Sequence, residues 1–277
     1  MINKNILSPS LCAAVLAGAS LSVPTEVRGD ERMFTYSYEA SSVLPKGGVE
    51  FEQWITYSGG KESGNFARWD FREELEFGIT DRYTTALYLN FRNTRSDLSA
   101  APGDEVNEFE FKGISSEHKY QLLNPHTKPL GMLLYGELTT DGSELELEEK
   151  LIFQKFFGPE EKWNAVFNII FEQEWEYEAE ETAEESVLEF TTGLSYRLTP
   201  NWAVGVEARH HRVYEGMFSE EEANAWFVGP NLHYGTDTWW ATLTVLPQVS
   251  GDPDTRWGLE LDEHTRIEVR LIAGYNF

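Results

Sequence analysis

The chain has a single cysteine, Cys12, and only 22 lysine and arginine residues against 47 aspartate and glutamate residues. One cysteine excludes an intrachain disulfide. The formal net charge of −25 argues against nucleic acid as a partner, because phosphate binding needs a basic surface. Glycine-rich phosphate loops, nucleotide fingerprints and Cys/His metal spacings are also absent from the sequence, so we expect neither a cofactor nor a metal ion.

Beyond its N-terminal region the sequence lacks any run of about 18 apolar residues, which excludes a transmembrane helix. The mean hydropathy is −0.43. Membrane-spanning β-strands escape this test, because only alternate residues meet lipid and the average stays that of a soluble protein. Aromatic residues make up 14% of the chain, which suits aromatic belts at two membrane interfaces but also a carbohydrate-binding β-sandwich.

The first residues have the layout of a secretory signal, in which Lys4 precedes a short run of apolar and small residues ending near Val23. That run is too short and too rich in small residues to serve as an anchor. We therefore predict a cleaved signal peptide at residues 1–29, which would remove Cys12. A short alternating run from Met33 to Tyr38 follows, and we assign residues 30–47 to a periplasmic N-terminal lead.

Alternation of apolar and polar residues dominates the rest of the chain. In the last segment, every second residue from Ile267 to Phe277 is apolar or aromatic, and Ile272 is the only large apolar residue between them. Successive side chains of a strand point to opposite faces, so such a strand has one apolar face and one mostly polar face. From Val49 onward the pattern predicts about twelve strands of roughly 9–14 residues, the length of a tilted membrane strand.

The predicted connections alternate in length along the chain, which a soluble sandwich has no reason to do. The short connections are 80–82, 123–130, 158–161, 198–201 and 235–238, and most of the long or acidic ones are 94–106, 178–184, 214–221 and 249–263. An even strand count with sorted connections is what a single-chain barrel requires.

The end of the chain resembles the closing strand of bacterial outer-membrane β-barrels, in which alternate apolar residues precede a terminal aromatic residue. The matching residues are Val269, Leu271, Ala273, Tyr275 and Phe277. The resemblance implies that the barrel-assembly machinery reads this strand. The stretch Leu44-Pro45-Lys46-Gly47, followed by Phe51-Glu52-Gln53-Trp54, is similar to the opening of an uncharacterised group of outer-membrane barrels.

That resemblance predicts an all-β fold: an antiparallel transmembrane β-barrel over residues 48–277, in contact with the lipid of a Gram-negative outer membrane. The charged face of each strand would then line the lumen. Buried charges persist only when they are paired or hydrated, so the lumen holds either water or a lattice of ion pairs. The predicted lumen-lining residues are Glu50, Glu52, Arg68, Asp70, Arg72, Glu74, Glu76, Glu146, Glu148, Glu207, Arg209, Glu268 and Arg270.

The two alternatives for the lumen, water or a lattice of ion pairs, predict two different functions. Because acidic rings favour cations, the first is a passive, narrow, porin-like channel for small polar or cationic solutes. The second is a closed barrel, in which arginines tie down glutamates and the extracellular loops have a structural or ligand-binding role. A soluble, secreted all-β binding domain is the opposing interpretation of the whole chain.

An outer-membrane lipid-modifying enzyme is a further alternative. The candidate residues for catalysis are Ser195, Glu207, His210 and His211, with Ser116 and His118 as a second pair. Neighbouring strand residues point to opposite faces, so only one of the two adjacent histidines could serve, and we predict no enzymatic activity. Loop carboxylates at 141–144 and 252–254 offer oxygen ligands for calcium, but neither group has EF-hand spacing and solvated acidic loops explain both.

Overall fold

A computed structural model describes residues 31–97, 106–177 and 182–277 of the protein. These residues form twelve β-strands and one 3-10 turn, Pro159–Glu161. No helix within them is long and apolar enough to cross a membrane. The strands are β1 (Val49–Gly59), β2 (Phe66–Thr80), β3 (Tyr83–Ser96), β4 (Val106–Leu123), β5 (Gly131–Thr140), β6 (Glu144–Phe157), β7 (Trp163–Tyr177), β8 (Thr182–Arg197), β9 (Trp202–Glu215), β10 (Glu220–Gly235), β11 (Trp239–Asp252) and β12 (Ile267–Asn276). The predicted signal peptide lies outside the described residues.

The twelve strands close into one antiparallel barrel, in which each strand pairs with its neighbour in sequence and β1 pairs with β12. The closing pair runs in register from Glu50↔Asn276 to Gly59↔Ile267. Closure leaves no free sheet edge, so every strand of the barrel is paired on both sides. The predicted fold class and strand count are confirmed.

The connections alternate between the two ends of the barrel, but they sort by length only in part. At one end, which we call the turn end, they span residues 81–82, 124–130, 158–162, 198–201 and 236–238. At the other, the loop end, they span 60–65, 97–105, 141–143, 178–181, 216–219 and 253–266. The two longest, 97–105 and 253–266, lie at the loop end, yet three others at that end have only three or four residues, and 124–130 at the turn end has seven. The predicted connections 94–106 and 214–221 are shorter in the structure, because backbone pairing continues into polar residues as far as Ser96↔Val106 and Glu215↔Glu220.

Two segments that fit the pattern poorly still form strands. β5 alternates normally, with Leu133 and Tyr135 buried inside and Leu134 exposed outside. In β10, Pro230 lies where the ladder to β11 is interrupted between Phe227 and Asn231, so its missing N–H breaks no regular pairing there. The backbones approach closely in this gap: a Cβ on Gly229 would stand 1.8 Å from the carbonyl oxygen of Val245.

The outer surface carries an apolar band between two zones rich in aromatic rings. Exposed side chains of the band include Leu87, Leu89, Ile114, Leu134, Leu138, Phe167, Val206, Leu232 and Leu243. At the turn end, rings follow one another around the wall, with centroids 4.8 Å apart for Trp163 and Tyr196 and 4.6 Å apart for Trp202 and Tyr234. Near the loop end, Tyr57 packs on Trp69 at 4.9 Å. Such a surface is typical of a barrel that meets lipid.

The segment that precedes β1 lies inside the barrel. Residues 32–40 are all buried, and they contact inward-facing side chains of the wall. We call residues 31–44 the inner segment. The sequence interpretation placed residues 30–47 as a periplasmic lead and did not foresee this position, because alternation shows which face of a strand is apolar and says nothing of what fills the space within. The predicted boundaries at residues 29 and 47 stay predictions.

Apolar residues on the inner wall explain why this segment packs there. Trp54, Leu133, Ile152 and Trp240 face inward and are at most 4% exposed, and they form one cluster with Tyr38 of the inner segment. Ile272, the break in the polar face of β12, belongs to the same cluster. Removing this apolar surface from water favours the docked position.

Candidate functional site

The loop-end half of the interior is a cavity of about 700 Å³. Its wall carries eleven carboxylates and eight lysine or arginine side chains, contributed by β2–β4, β6–β9 and β12 and, from the loops, by Lys61 and Glu263. The cavity is therefore polar and negatively charged when all of these groups are ionised. Its floor is made by Tyr36 and Tyr38 of the inner segment.

One side of the cavity wall is almost wholly acidic. Strands β6 and β7 face each other through three successive inward rungs, each of which pairs two glutamates: Glu144↔Glu176, Glu146↔Glu174 and Glu148↔Glu172. Strand β8 adds two more carboxylates to this side, Glu185 and Glu189. We call the six glutamates of the three β6–β7 rungs the glutamate ladder. Like charges directly opposite each other on a sheet are destabilising, so we expect the ladder to attract cations.

The opposite side of the cavity carries most of the basic groups, and most of these form ion pairs. Arg209 Nη1 lies 2.8 Å from Glu268 Oε2, and its Nε lies 2.5 Å from Glu189. Arg72 Nη1 lies 3.3 Å from Glu137, and Arg92 Nε lies 2.6 Å from Asp70, which also pairs with Arg68 at 3.0 Å. Ion pairs also reach the glutamate ladder, where Lys112 pairs with Glu144 at 3.2 Å and Lys150 pairs with Glu148. The lattice of ion pairs considered for the lumen therefore extends to both sides. Among the described residues, Glu146, Glu172 and Glu174 form no ion pair within 4 Å.

Cation–π contacts and a backbone hydrogen bond hold the tip of the inner segment under the cavity. The Arg270 guanidinium lies 4.1 Å from the centre of the Tyr36 ring, and its Nη1 donates to the Thr35 carbonyl oxygen at 3.1 Å. Lys150 Nζ lies 3.6 Å from the centre of the Tyr38 ring. Each such contact stabilises by about 0.5–2 kcal/mol, depending on burial.

A single carboxylate, that of Glu207 on β9, anchors the backbone of the inner segment. Three successive backbone N–H groups donate to it, from Thr35 at 3.0 Å, Tyr36 at 2.9 Å and Ser37 at 2.8 Å. The hydroxyl of Thr244 donates to it at 2.6 Å. Since the inner segment has no sheet partner, Glu207 satisfies buried donors that would otherwise be left without an acceptor.

The thirteen residues predicted to line the lumen all lie on the inner face, but in two groups. Those that border the cavity are Arg68, Asp70, Arg72, Glu146, Glu148, Arg209, Glu268 and Arg270. Those that lie deeper and are at most 1% exposed are Glu50, Glu52, Glu74, Glu76 and Glu207. The second group lies in the buried turn-end half, where the inner segment packs. Alternation alone does not separate the two groups, because both face inward.

The catalytic candidates do not converge. His211 borders the cavity, whereas His210 stacks on the outer face against Trp226, with ring centres 4.1 Å apart. Ser195 pairs with Gly205, six residues along β9 from His211, which is a separation of roughly 20 Å at 3.3 Å per residue. Ser116 Oγ lies 3.3 Å from His118 Nε2, but this exposed pair is on the outer surface.

The loop carboxylates proposed as calcium ligands serve their own loops instead. Asp141 Oδ1 accepts hydrogen bonds from the Ser143 backbone N–H at 2.8 Å and the Glu144 backbone N–H at 3.0 Å. Asp254 Oδ1 accepts one from the Gly258 N–H at 2.8 Å. These contacts are those of loop-closing turns.

The loop between β11 and β12 is ordered around Glu260. Burial raises the pKa of this carboxyl, but hydrogen bonds from the His264 side chain and from the backbone N–H groups of His264, Glu263 and Asp262 outweigh it and lower the pKa to about 2. His264 in turn lies 2.9 Å from His211 across the cavity rim, measured between ring nitrogens. Glu260 therefore stays ionised and fixes one side of the cavity mouth.

Comparisons with known proteins agree with the barrel. A family model described as a family of unknown function, DUF6662, matches residues 26–277. No curated protein matches the chain. The COG4313 outer membrane channel from Pseudomonas putida F1 is similar at a TM-score of 0.63 and 12% identity, over 85% of this chain and 97% of that chain. The NanC porin is similar at a TM-score of 0.54 and 7% identity, over 82% of this chain and 100% of that chain. At these identities the likeness shows the fold alone.

Proposed function

Since the chain belongs to the family of unknown function DUF6662 and has the fold of outer-membrane barrels, we propose that it is a passive, narrow channel for small cationic or polar solutes. The apolar outer band and the aromatic rings at both ends support a position in the outer membrane, with lipid around the wall. The turn end would face the periplasm and the loop end the cell exterior.

The glutamate ladder is the observation that carries this proposal. Six carboxylates on three adjacent rungs are too close to remain ionised without counter-charge. Among the described residues, Lys112 pairs with Glu144 and Lys150 pairs with Glu148, whereas Glu146, Glu172 and Glu174 form no ion pair. Hydrated cations in the cavity would supply that charge. The ladder on one side and the arginines on the other also create a field across the cavity, which favours polar over apolar solutes.

The inner segment stands in the path of any solute, so conduction requires it to move. It enters beside the turn end, where Glu31 lies 3.7 Å from His233, and its tip forms the cavity floor. We therefore assign it the role of a resident gate. A closed barrel whose cavity binds a cationic ligand is the second candidate, and the three N–H groups held by Glu207 favour it.

Purified protein in planar bilayers tests the channel. Under a KCl gradient we expect channels whose reversal potential shows cation preference. The double variant Glu146→Gln/Glu174→Gln should lose most of that preference, whereas the control Glu161→Gln, on an exposed turn, should keep it. Absence of channels both in the wild type and in a variant with a weakened anchor, Glu207→Ala, would leave the closed, ligand-binding barrel.

The closing strand supports a further part of the proposal, assembly by the barrel-assembly machinery. Leu271, Tyr275 and Phe277 point outward and are 37%, 49% and 51% exposed, so they stay accessible after the barrel closes. We expect Phe277→Ser to reduce the amount of folded protein in the outer membrane severalfold, measured by heat-modifiable gel migration. Phe157→Ser, an exposed aromatic at the same end, is the matched control.

A further inference from the structure

A second set of facing glutamates lies in the buried, turn-end half of the barrel. On the β1–β2 ladder, Glu50 pairs with Glu76 and Glu52 pairs with Glu74. All four side chains face inward, and none is more than 1% exposed. Unlike the glutamate ladder of the cavity, these carboxylates have no bulk water beside them, so their charge must be offset locally.

Neighbouring basic groups offset only part of this charge. Lys119 Nζ lies 2.6 Å from Glu76 Oε1 and 3.2 Å from Glu117 Oε1. Arg32 Nη1 of the inner segment lies 3.7 Å from Glu52 Oε2. The set thus brings five carboxylates, including Glu50, together with Lys119 and Arg32.

The Glu74 side chain points into this set of carboxylates, and no hydrogen-bond donor contacts it. Its side chain is 1% exposed, and neither of its oxygens accepts a hydrogen bond; Glu76 Oε2 is also without a hydrogen-bond donor. One oxygen from each of Glu52, Glu74 and Glu76 lies within 4.8 Å of the others. Two oxygens bound to one calcium ion at about 2.3–2.6 Å each are separated by no more than about 5 Å, so this spacing fits a shared ion.

We propose that Glu52, Glu74 and Glu76 bind a divalent cation of the calcium type inside the barrel. Carboxylate oxygens are hard ligands, and calcium accepts irregular arrangements of six to eight oxygens, whereas magnesium demands near-octahedral geometry and retains water. The ion ties β1 to β2 directly. Through the Glu52–Arg32 pair it also supports the inner segment, so its role is structural and independent of what the cavity conducts.

The alternative for these carboxylates is protonation, in which Glu74 shares a proton with a neighbour. Glu74→Gln separates the two accounts, because the amide keeps the shape but removes the charge. In the metal account the variant is more stable than the metal-free wild type, since repulsion is relieved. In the protonation account Glu74 is already neutral, so the two proteins have similar stability. Only the metal account gives the wild type a larger calcium response than the variant.

The test uses the full barrel, refolded in detergent with EDTA or with CaCl₂. We expect calcium to raise the unfolding temperature of the wild type and of Glu161→Gln, a control on an exposed turn, at least twice as far as that of Glu74→Gln, in which only the cavity ladder still attracts the ion. TbCl₃ should give luminescence through Trp54, whose Nε1 donates to Glu52 Oε2 at 2.7 Å, with at least tenfold weaker binding in Glu74→Gln. A wild type that responds to neither ion, or a Glu74→Gln variant that responds equally, overturns the site. Both readouts are independent of conductance.

Discussion

Both halves of the barrel interior carry inward-facing acidic side chains, but the two halves differ in what surrounds these side chains. At the loop end, glutamates face an open cavity and a row of paired arginines. At the turn end, glutamates are sealed beneath the inner segment, and Glu207 holds that segment through its backbone N–H groups. The role of an inward-facing carboxylate therefore depends on its surroundings. In contact with water it is a charge that solutes can approach, and when buried it serves as an anchor for the backbone or as a ligand.

If the inner segment is released, the turn-end half should become open to water like the loop-end half. We expect Glu207→Ala to have the largest such effect. Each lost hydrogen bond to a charged acceptor removes about 1.5–3 kcal/mol, and three come from consecutive residues of the segment. We expect severalfold larger conductance in planar bilayers and faster tryptic cleavage at Arg32. Glu215→Ala, on the same strand at the loop end, should change neither.

Phe34 offers a second way to loosen the inner segment. Its ring is fully buried against the wall, where a Cβ on Gly193 would stand 2.6 Å from it. Phe34→Ala should lower the free energy of unfolding by about 3 kcal/mol or more in detergent. Gly193→Leu should push the ring out and raise conductance. At Gly136 a Cβ would meet only Glu148 O, at 4.0 Å, so Gly136→Ala serves as the control.

The cavity half should respond to salt in a way that the turn-end half does not. Removing both charges of the middle rung with Glu146→Gln/Glu174→Gln relieves repulsion of roughly 0.2–1 kcal/mol. The variant should therefore unfold at a higher temperature than the wild type at low ionic strength, and this gain should vanish at about 1 M salt, where screening is nearly complete. A gain that is independent of salt would contradict a hydrated ladder.

A smaller effect is expected at the cavity mouth, from the pKa of Glu260. Because the folded pKa is lowered to about 2, this carboxylate stabilises the 253–266 loop above the usual pKa of about 4.5, and the contribution is lost only as the pH falls through about 2. Amide exchange of Asp262 and His264 should stay slow at pH 3 and become fast in Glu260→Gln. Equal exchange in both proteins would show that the loop is held by other contacts.

Much of the wall followed from sequence, because a strand's two-residue period reports directly which side chains face out. Pairing of β1 with β12 follows from an even count and a closed barrel. The connections sort by length less regularly than predicted, because backbone pairing continues into the polar residues at the loop end. The filling of the barrel was not predicted. Two features of the sequence are consistent with this filling: Ile272 interrupts the polar face of β12, and the stretch from Met33 to Tyr38 is rich in aromatic residues. Neither feature alone indicates that this stretch packs against Ile272 inside the barrel.

The candidate site, too, was predictable from the sequence only in part. Inward orientation of the thirteen charged residues was predictable, but their separation into cavity and buried groups depends on the inner segment. The glutamate rungs depend on register, which pairs Glu146 with Glu174 across two strands that the sequence leaves free to slide. A slip of one residue would have placed a glutamate opposite an outward side chain.

Cysteine accessibility in intact cells tests the central claim most directly, namely that the inner segment seals one half of an outer-membrane barrel and leaves the other open. Cys12 is the chain's one cysteine, so single cysteines are introduced in a Cys12→Ser background. With a membrane-impermeant thiol reagent added outside, Glu174→Cys, on the cavity wall, should react rapidly, and Ser37→Cys, 1% exposed beneath it, should react only after unfolding. Equal reaction at both positions would contradict the account.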